Sequence, residues 1–225
     1  MLRMKLSRET LAAVLPYAVW MGLMFVLPAT AWGYAVRAVA TLAVWLGCGR
    51  MQFGYRDWTV REALLPGLLA GLVVGALWIV PEQFAWYRET SLMKFLGLAP
   101  AVADAASPYD PATCGWPLTL VRLAGSAFVI APVEEIFFRS FLYRALQSRD
   151  WTKVPLNRFD MSAFLWMVGL FALEHDTRLA AGAMAGAFYG LLAIRRGLGA
   201  AIVAHVTTNL ALGVFVIVTK QWGFW

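Results

Sequence analysis

Long apolar segments without a charged residue constrain the fold of this chain more than any other feature. Leu64–Val80 and Ala200–Val218 contain no Asp, Glu, Lys or Arg. Each is close to the roughly 20 residues that a transmembrane helix needs. A transmembrane β-barrel would instead show alternating apolar and polar residues in segments of about 10. The chain is 61% hydrophobic and 14% charged, whereas soluble domains average about 25% charged residues. These observations predict an all-α, polytopic transmembrane bundle of about seven to eight helices.

The apolar runs divide the chain into seven predicted spans. The charges and prolines between them set their ends. The spans are Leu11–Pro28, Tyr34–Gly47, Ala63–Val80, Leu118–Leu146, Met161–Leu173, Leu179–Ile194 and Leu198–Val218. We interpret residues 1–225 as a single integral membrane domain, in which 1–117 holds the first spans and an outer loop and 118–218 the helices that carry the motifs.

The longest polar stretch, Pro81–Trp116, is expected to lie on the outer side. Within it, Trp86–Leu96 has the pattern of an interfacial amphipathic helix. The three prolines of Ala99–Gly115 predict an irregular loop.

The distribution of positive charge predicts the orientation. The chain has 19 Lys and Arg against 13 Asp and Glu, a net charge of +6. Short cytoplasmic loops of membrane proteins are enriched in Lys and Arg. Two basic loops therefore indicate the cytoplasmic side, and their residues are Arg50, Arg56, Arg61, Arg144, Arg149, Lys153 and Arg158. We expect a cytoplasmic N-terminus and a location in the cell membrane, the inner membrane of a bacterium. The pattern gives no indication of nucleic-acid binding.

Two predicted helices carry glycines at every fourth position, which places them on one face of each helix. Small residues at this spacing allow another helix to approach closely. The glycines are Gly67, Gly71 and Gly75 in the third span, and Gly182, Gly186 and Gly190 in the sixth.

The fourth span contains three charged residues, which are costly at bilayer depth and usually mark a functional site. Glu135 and Arg139 are four residues apart and can form an ion pair on one helix face. Glu134 is rotated by about 100° from Glu135 around the helix axis. We therefore expect Glu135 and Arg139 to support the site, while Glu134 points into a cavity.

The two histidines of the chain also lie in apolar segments. His175 closes the fifth span, one turn after Phe171, and His205 is four residues before Asn209 in the seventh. Taken singly, His175 is more consistent with a satisfied polar or interface residue than with catalysis. His205 and Asn209 are as consistent with hydrogen bonds to neighbouring helices as with catalysis. Together with Glu134, they supply the groups needed for hydrolysis through an activated water molecule. Glu174 and Asp176, beside His175, are predicted to be interface charges.

Three motifs now stand in order on successive apolar segments: E-E-x-x-x-R, F-x-x-x-H and H-x-x-x-N. This arrangement resembles the CPBP (ABI) family of CAAX prenyl protease and bacteriocin-processing relatives, which are glutamate-type intramembrane proteases. The resemblance covers roughly Leu118–Leu212. The small size and aromatic-rich loops are also similar to the CAAX protease-related branch associated with exosortase systems.

The resemblance implies a role for each motif residue. Glu134 would be the general base, His175 would hold the water with it, and His205 and Asn209 would form the oxyanion hole. Glu135 and Arg139 would orient the site, and Phe171 would pack beneath it. An older interpretation of the family places zinc on the Glu and His residues. Two His and a Glu would be chemically adequate for zinc with an open position, so the sequence does not exclude it. We favour a mechanism without metal or other cofactor, because H-E-x-x-H is missing and Asn is a poor zinc ligand.

These features predict an intramembrane endopeptidase that acts on a membrane-embedded or lipidated peptide or protein, within the lipid bilayer. Nothing in the sequence indicates a prenyl pocket. One alternative is a non-catalytic immunity or scaffold protein that keeps the protease fold. The complete set of polar residues argues against it. Another alternative is a proton-coupled carrier, for which internal repeats would be expected.

Overall fold

The computed structural model of the chain describes residues 7–48, 60–84, 91, 107–175 and 178–225. These parts contain helices and turns and no strand, which confirms the predicted all-α architecture. The longer helices in them are α1 (Arg8–Val26), α2 (Ala31–Gly47), α3 (Val60–Ile79), α4 (Trp116–Ala145), α5 (Met161–Glu174), α6 (Leu179–Arg196) and α7 (Leu198–Thr219).

Each of the seven predicted spans corresponds to one of these helices, with ends that differ by a few residues. By length and composition, four helices can cross a membrane, and these are Arg8–Val26, Glu62–Gln83, Trp116–Ala145 and Leu198–Thr219. The shorter α5 is also apolar. The chain is therefore a multi-pass membrane protein.

Helix starts follow ordinary capping chemistry. The side chains of Ser7, Thr30 and Asp160 accept a hydrogen bond from a backbone N–H in the first turn of α1, α2 and α5. Between α6 and α7, Gly197 adopts φ 87°, a conformation that other L-residues rarely adopt. It allows α7 to begin at the next residue.

Part of the outer stretch differs from the prediction. Pro111–Cys114 forms a short helix, although this position was predicted to be irregular. Asp110 caps it, and Pro111 occupies the first turn, where a missing N–H costs nothing. Apart from Ser91, the helix predicted at Trp86–Leu96 lies outside the described residues, as do Arg50 and Arg56 of the first basic loop.

Helix α4 is not a regular α-helix. Two wider π-helical segments, Ser126–Ile130 and Ile136–Leu142, flank the turn Ala131–Glu135, which contains both glutamates. Such segments often occur at functional sites, because they shift the register of side chains and free backbone groups. All five residues of Ala131–Glu135 are buried.

The glycine faces bring helices together, as predicted for most of their positions. A Cβ atom on Gly67 or Gly71 would collide with α7, whereas one on Gly75 would meet only the Ala211 Cβ, at 3.8 Å. The glycines of α6 pack against α5. Gly182 touches His175, and Gly186 touches Phe171. Close packing thus fixes the position of both motif residues of α5.

Candidate active site

A cavity of about 210 Å³ lies among the helices. Helices α4, α6 and α7 contribute to its walls, together with the end of α5. Tryptophans from α1 and α3, and the aromatic residues that follow α7, complete the lining. Glu134, His175, His205 and Asn209 all line this cavity. The structure thus brings together the four residues that the sequence singled out for catalysis.

The adjacent glutamates have different environments. Glu134 lines the cavity, whereas Glu135 is 0% exposed and lies behind it. One oxygen of Glu135, Oε1, is 3.1 Å from Arg139 Nη1 and 2.9 Å from His205 Nδ1. Glu134 Oε2 has only a longer contact, 3.7 Å from His205 Nε2. The rotation of about 100° per residue accounts for this separation.

The contacts of His205 define which ring nitrogen carries a proton. Nδ1 faces the Glu135 carboxylate at hydrogen-bond distance, so Nδ1–H donates to it. The other nitrogen, Nε2, faces Glu134. The ring stacks on Tyr189, with centroids 4.8 Å apart and planes at 22°. The imidazole is therefore held from its edge and its face.

Tyr189 in turn belongs to a short hydrogen-bond chain. Its hydroxyl donates to Thr208 Oγ1 at 2.7 Å, and that hydroxyl donates to the Gly71 carbonyl at 2.9 Å. The chain joins α6, α7 and α3. Sequence patterns did not identify Tyr189 or Thr208 as site residues. The available signal was Tyr189 itself, a large polar side chain in the glycine-rich α6.

His175 lies directly after the last residue of α5. Its Nδ1 is 2.8 Å from the Phe171 carbonyl oxygen, so Nδ1–H donates there and Nε2 remains an acceptor. Its ring packs against Phe171 and Trp78, with centroid separations of 4.6 and 5.3 Å. Gly182 of α6 lies against His175, and a glycine is required there because a Cβ atom would lie 2.9 Å from the His175 Cβ.

Arg178, three residues after His175, contacts both His175 and a carboxylate that follows α3. The backbone N–H of Arg178 donates to the His175 carbonyl at 2.7 Å. The Arg178 guanidinium makes two contacts with Glu82, at 2.7 and 3.1 Å, and both side chains are largely buried. Glu82 belongs to the turn Pro81–Gln83 after α3. This pair anchors the end of α5 to α3.

Asn209 connects α7 to the first π-helical segment of α4. Its side-chain Nδ2 donates to the Ser126 carbonyl at 3.0 Å. An amide side chain has two N–H groups and one carbonyl oxygen. One N–H and the oxygen therefore remain available for other partners.

Phe171 and Arg139 form the base of the site. Phe171 is fully buried, and the Arg139 guanidinium carbon lies 4.1 Å from its ring centroid. Arg139 also donates to the Gly186 carbonyl at 3.4 Å. Glu174, predicted to be an interface charge, is half-buried, and its Oε2 is inaccessible with no hydrogen-bond partner. Its neighbour Asp176 lies outside the described residues.

In the described ranges, no three His, Cys, Asp or Glu side chains are arranged to hold a metal ion. The arrangement instead offers acceptors in Glu134 and His175 Nε2, and amide donors in Asn209.

Comparison with models of known protein families matches part of the chain. Residues 116–211 match the model of a family described as Rce1-like, type II CAAX prenyl endopeptidase. This segment includes α4, α5, α6 and most of α7, and it contains all seven residues of the three motifs. No curated protein and no solved structure matches the chain. The family match confirms the CAAX protease resemblance, while the exosortase-associated branch stays a prediction.

Proposed function

Because residues 116–211 match the model of the Rce1-like family of type II CAAX prenyl endopeptidases, and the chain is a multi-pass membrane protein, we propose that it is an intramembrane endopeptidase. The observation that carries this proposal is the cavity in the matched segment. A carboxylate, two imidazoles and an amide line it together. These are the groups that water-dependent amide hydrolysis requires.

In the first step, Glu134 and His175 hold and activate a water molecule. His175 Nε2 is an acceptor, because the ring proton on Nδ1 is used by the Phe171 carbonyl. The water donates one hydrogen to His175 and the other to the Glu134 carboxylate. Glu134 takes its proton as the water oxygen attacks the carbonyl carbon of the scissile bond. The carbonyl π electrons move to the oxygen and form a tetrahedral oxyanion.

Asn209 and His205 stabilise this oxyanion. Asn209 has one N–H beyond the bond to Ser126. The second donor in this proposal is His205 Nε2–H, while the Glu135 carboxylate, 2.9 Å from Nδ1, accepts the other N–H of the ring. Glu134 then returns its proton to the leaving nitrogen, and the C–N bond breaks. The products are an amine and a carboxylic acid, which ionises.

We further propose that the substrate is a membrane-embedded or lipidated peptide or protein, as the family description of prenyl endopeptidases suggests. The basic residues near the ends of α4 and α6 support a cytoplasmic N-terminus and a location in the cell membrane. No step of this mechanism uses a metal ion.

The test is cleavage by purified protein reconstituted in lipid nanodiscs. The probes are a quenched fluorogenic farnesylated CAAX peptide and a pool of synthetic single-span peptides, with new termini identified by mass spectrometry. We expect Glu134→Gln to reduce cleavage by about 10²- to 10⁴-fold, the usual contribution of a general base. Glu9→Gln is the matched control, because Glu9 is an exposed carboxylate in the first turn of α1. Wild-type activity in Glu134→Gln would exclude Glu134 as the base. A lack of cleavage by the wild type, with a cellular phenotype that Glu134→Gln retains, would favour the non-catalytic alternative.

A further inference from the structure

One residue of the cavity wall has no role in the proposed hydrolysis. Arg122, on the outer part of α4, lines the same cavity as Glu134 and Asn209. In the part of the chain that the structure describes, no carboxylate lies within 4 Å of its guanidinium. Its Nε atom is buried and has no hydrogen-bond partner. A positive charge therefore faces the cavity without a counter-ion.

Aromatic rings hold this guanidinium in position. Its central carbon lies 4.3 Å from the Tyr34 ring centroid, 5.0 Å from that of Tyr109 and 5.7 Å from that of Trp225. Cation–π contacts of this kind orient a guanidinium but leave its charge in place. The group is thus fixed before a ligand arrives, which lowers the entropic cost of binding.

A second arginine adds to the positive charge at this end of the cavity. Arg37 of α2 lies over the Trp20 ring at 3.9 Å and 5.5 Å from the centroid of Tyr34. Its Nε atom is also buried without a partner. Trp20 belongs to the cavity wall. Two arginines whose guanidinium carbons lie 4.3 and 5.5 Å from the centroid of one tyrosine ring favour an anion in the adjacent space.

The spacing along α4 limits where such an anion can lie on a peptide. Arg122 is twelve residues before Glu134, which would correspond to about 18 Å in a regular α-helix. The π-helical segment Ser126–Ile130 between them rises less per residue, so about 18 Å is an upper limit. An extended peptide advances about 3.3–3.6 Å per residue. On an extended substrate segment, a group that reaches Arg122 while the scissile bond is at Glu134 therefore lies within about five residues of that bond.

We propose that Arg122 is a specificity residue that binds a carboxylate of the substrate, within about five residues of the scissile bond. A planar guanidinium matches the two oxygens of a carboxylate or a phosphate. A substrate carboxylate is favoured over a lipid phosphate because Arg122 lines the cavity that also holds Glu134, and rings surround it. This inference rests on the proposed function, since it takes the cavity as the substrate site.

The experiment uses full-length protein in phosphatidylcholine nanodiscs and single-span peptides in which one Asp is moved through successive positions. Matched peptides carry Asn at the same position. Retention on the protein and cleavage are both measured by mass spectrometry. We expect the wild type to favour one Asp position by about tenfold to a hundredfold over its Asn partner. Arg122→Gln should lose this preference, and Arg122→Lys should keep part of it. The exposed Arg149, replaced by Gln, is the control.

Three results would overturn the proposal. They are equal retention of Asp and Asn peptides by the wild type, a preference that persists in Arg122→Gln, and an effect of Arg122→Gln that is seen only when phosphatidylglycerol is added. The last result would assign Arg122 to lipid phosphate. If Arg122→Gln does not fold, the same comparison of Asp and Asn peptides is made between the wild type and Arg122→Lys. Retention with an Asp preference but no cleavage would contradict the proposed function and leave the anion site supported.

Discussion

The same conservative substitution should affect the stability of the fold very differently at the two adjacent glutamates of α4. Glu135→Gln is expected to destabilise the fold, and Glu134→Gln is expected to leave stability nearly unchanged. The reason is the difference in their contacts. Glu135 is fully buried between Arg139 and His205, whereas the one ion-pair contact of Glu134 in the described residues is 3.7 Å long.

The magnitude follows from the burial of the ion pair. Arg139 is 1% exposed and lies 3.1 Å from Glu135, so the substitution leaves a buried guanidinium without its counter-charge. Removal of one partner from a buried pair typically costs about 3–5 kcal/mol. Gln keeps a carbonyl acceptor, so we expect about 3 kcal/mol for Glu135→Gln, the low end of that range. At about 2–4 °C per kcal/mol for a chain of this size, the Tm should fall by about 6–12 °C.

The measurement is thermal unfolding of the purified variants in one detergent, followed by the intrinsic fluorescence of the tryptophans. Glu134→Gln should stay within about 1 kcal/mol of the wild type, as substitutions that break no strong contact usually do. The control is again the exposed Glu9→Gln. Equal destabilisation by both variants, or an unchanged Tm in Glu135→Gln, would refute the assignment of separate roles to the two carboxylates.

Two further predictions concern the packing around the site. Gly71→Ala should destabilise the fold by about 1–3 kcal/mol through overpacking, because the new Cβ would lie 2.6 Å from the Thr207 Cβ. Gly75→Ala on the same helix face should leave the stability measured by thermal unfolding unchanged or raise it by up to about 1 kcal/mol. Equal losses of stability in both variants would contradict the packing. Arg178→Gln should lower cleavage, because Arg178 bonds to the His175 carbonyl and is itself held by an ion pair with Glu82. Simultaneous replacement of Glu82 by Gln should restore much of the lost stability. Wild-type stability and cleavage in the single variant would show that the ion pair does not position His175.

Helix positions were readable from the sequence because the signal for a membrane helix is local. A continuous apolar run determines a span whatever it packs against, so all seven helices lie where they were predicted. The short helix Pro111–Cys114 was missed because three nearby prolines outweighed its cap. The π-helical segments of α4 could not be predicted. Such segments depend on how neighbouring helices pack, and no residue pattern specifies them.

Much of the candidate site was also readable, since three motifs supply its polar residues. The separation of Glu134 from Glu135 followed from helix geometry alone. The contacts of Tyr189 and Arg122 could not be predicted, because their partners lie on other helices. Tyr189 reaches the neighbouring α7, and the rings around Arg122 come from residues far apart in the chain, such as Tyr34 and Trp225.

His175 follows the far end of a span whose start lies beside the basic loop, so the length of α5 sets how far His175 lies from that loop. From the start of α5 at Met161, His175 is reached after a rise of about 21 Å. Glu134 lies at most about 17 Å from the Ala145 end of α4, because the π-helical segment Ile136–Leu142 between them rises less per residue. The hydrocarbon core of a bilayer is about 30 Å thick, so we expect both residues to lie inside it.

This depth has a consequence for any substrate of the proposed reaction. Inside the hydrocarbon core, a peptide bond that leaves a helix exposes an N–H and a carbonyl oxygen without water, at a cost of several kcal/mol. A transmembrane substrate can therefore unwind only where the cavity replaces those hydrogen bonds. Asn209 offers an N–H and an oxygen beyond its bond to Ser126, and His175 offers Nε2. The groups proposed for catalysis are thus also suited to stabilise the unwound backbone, so selection of a cleavable bond and its hydrolysis would occur at one place.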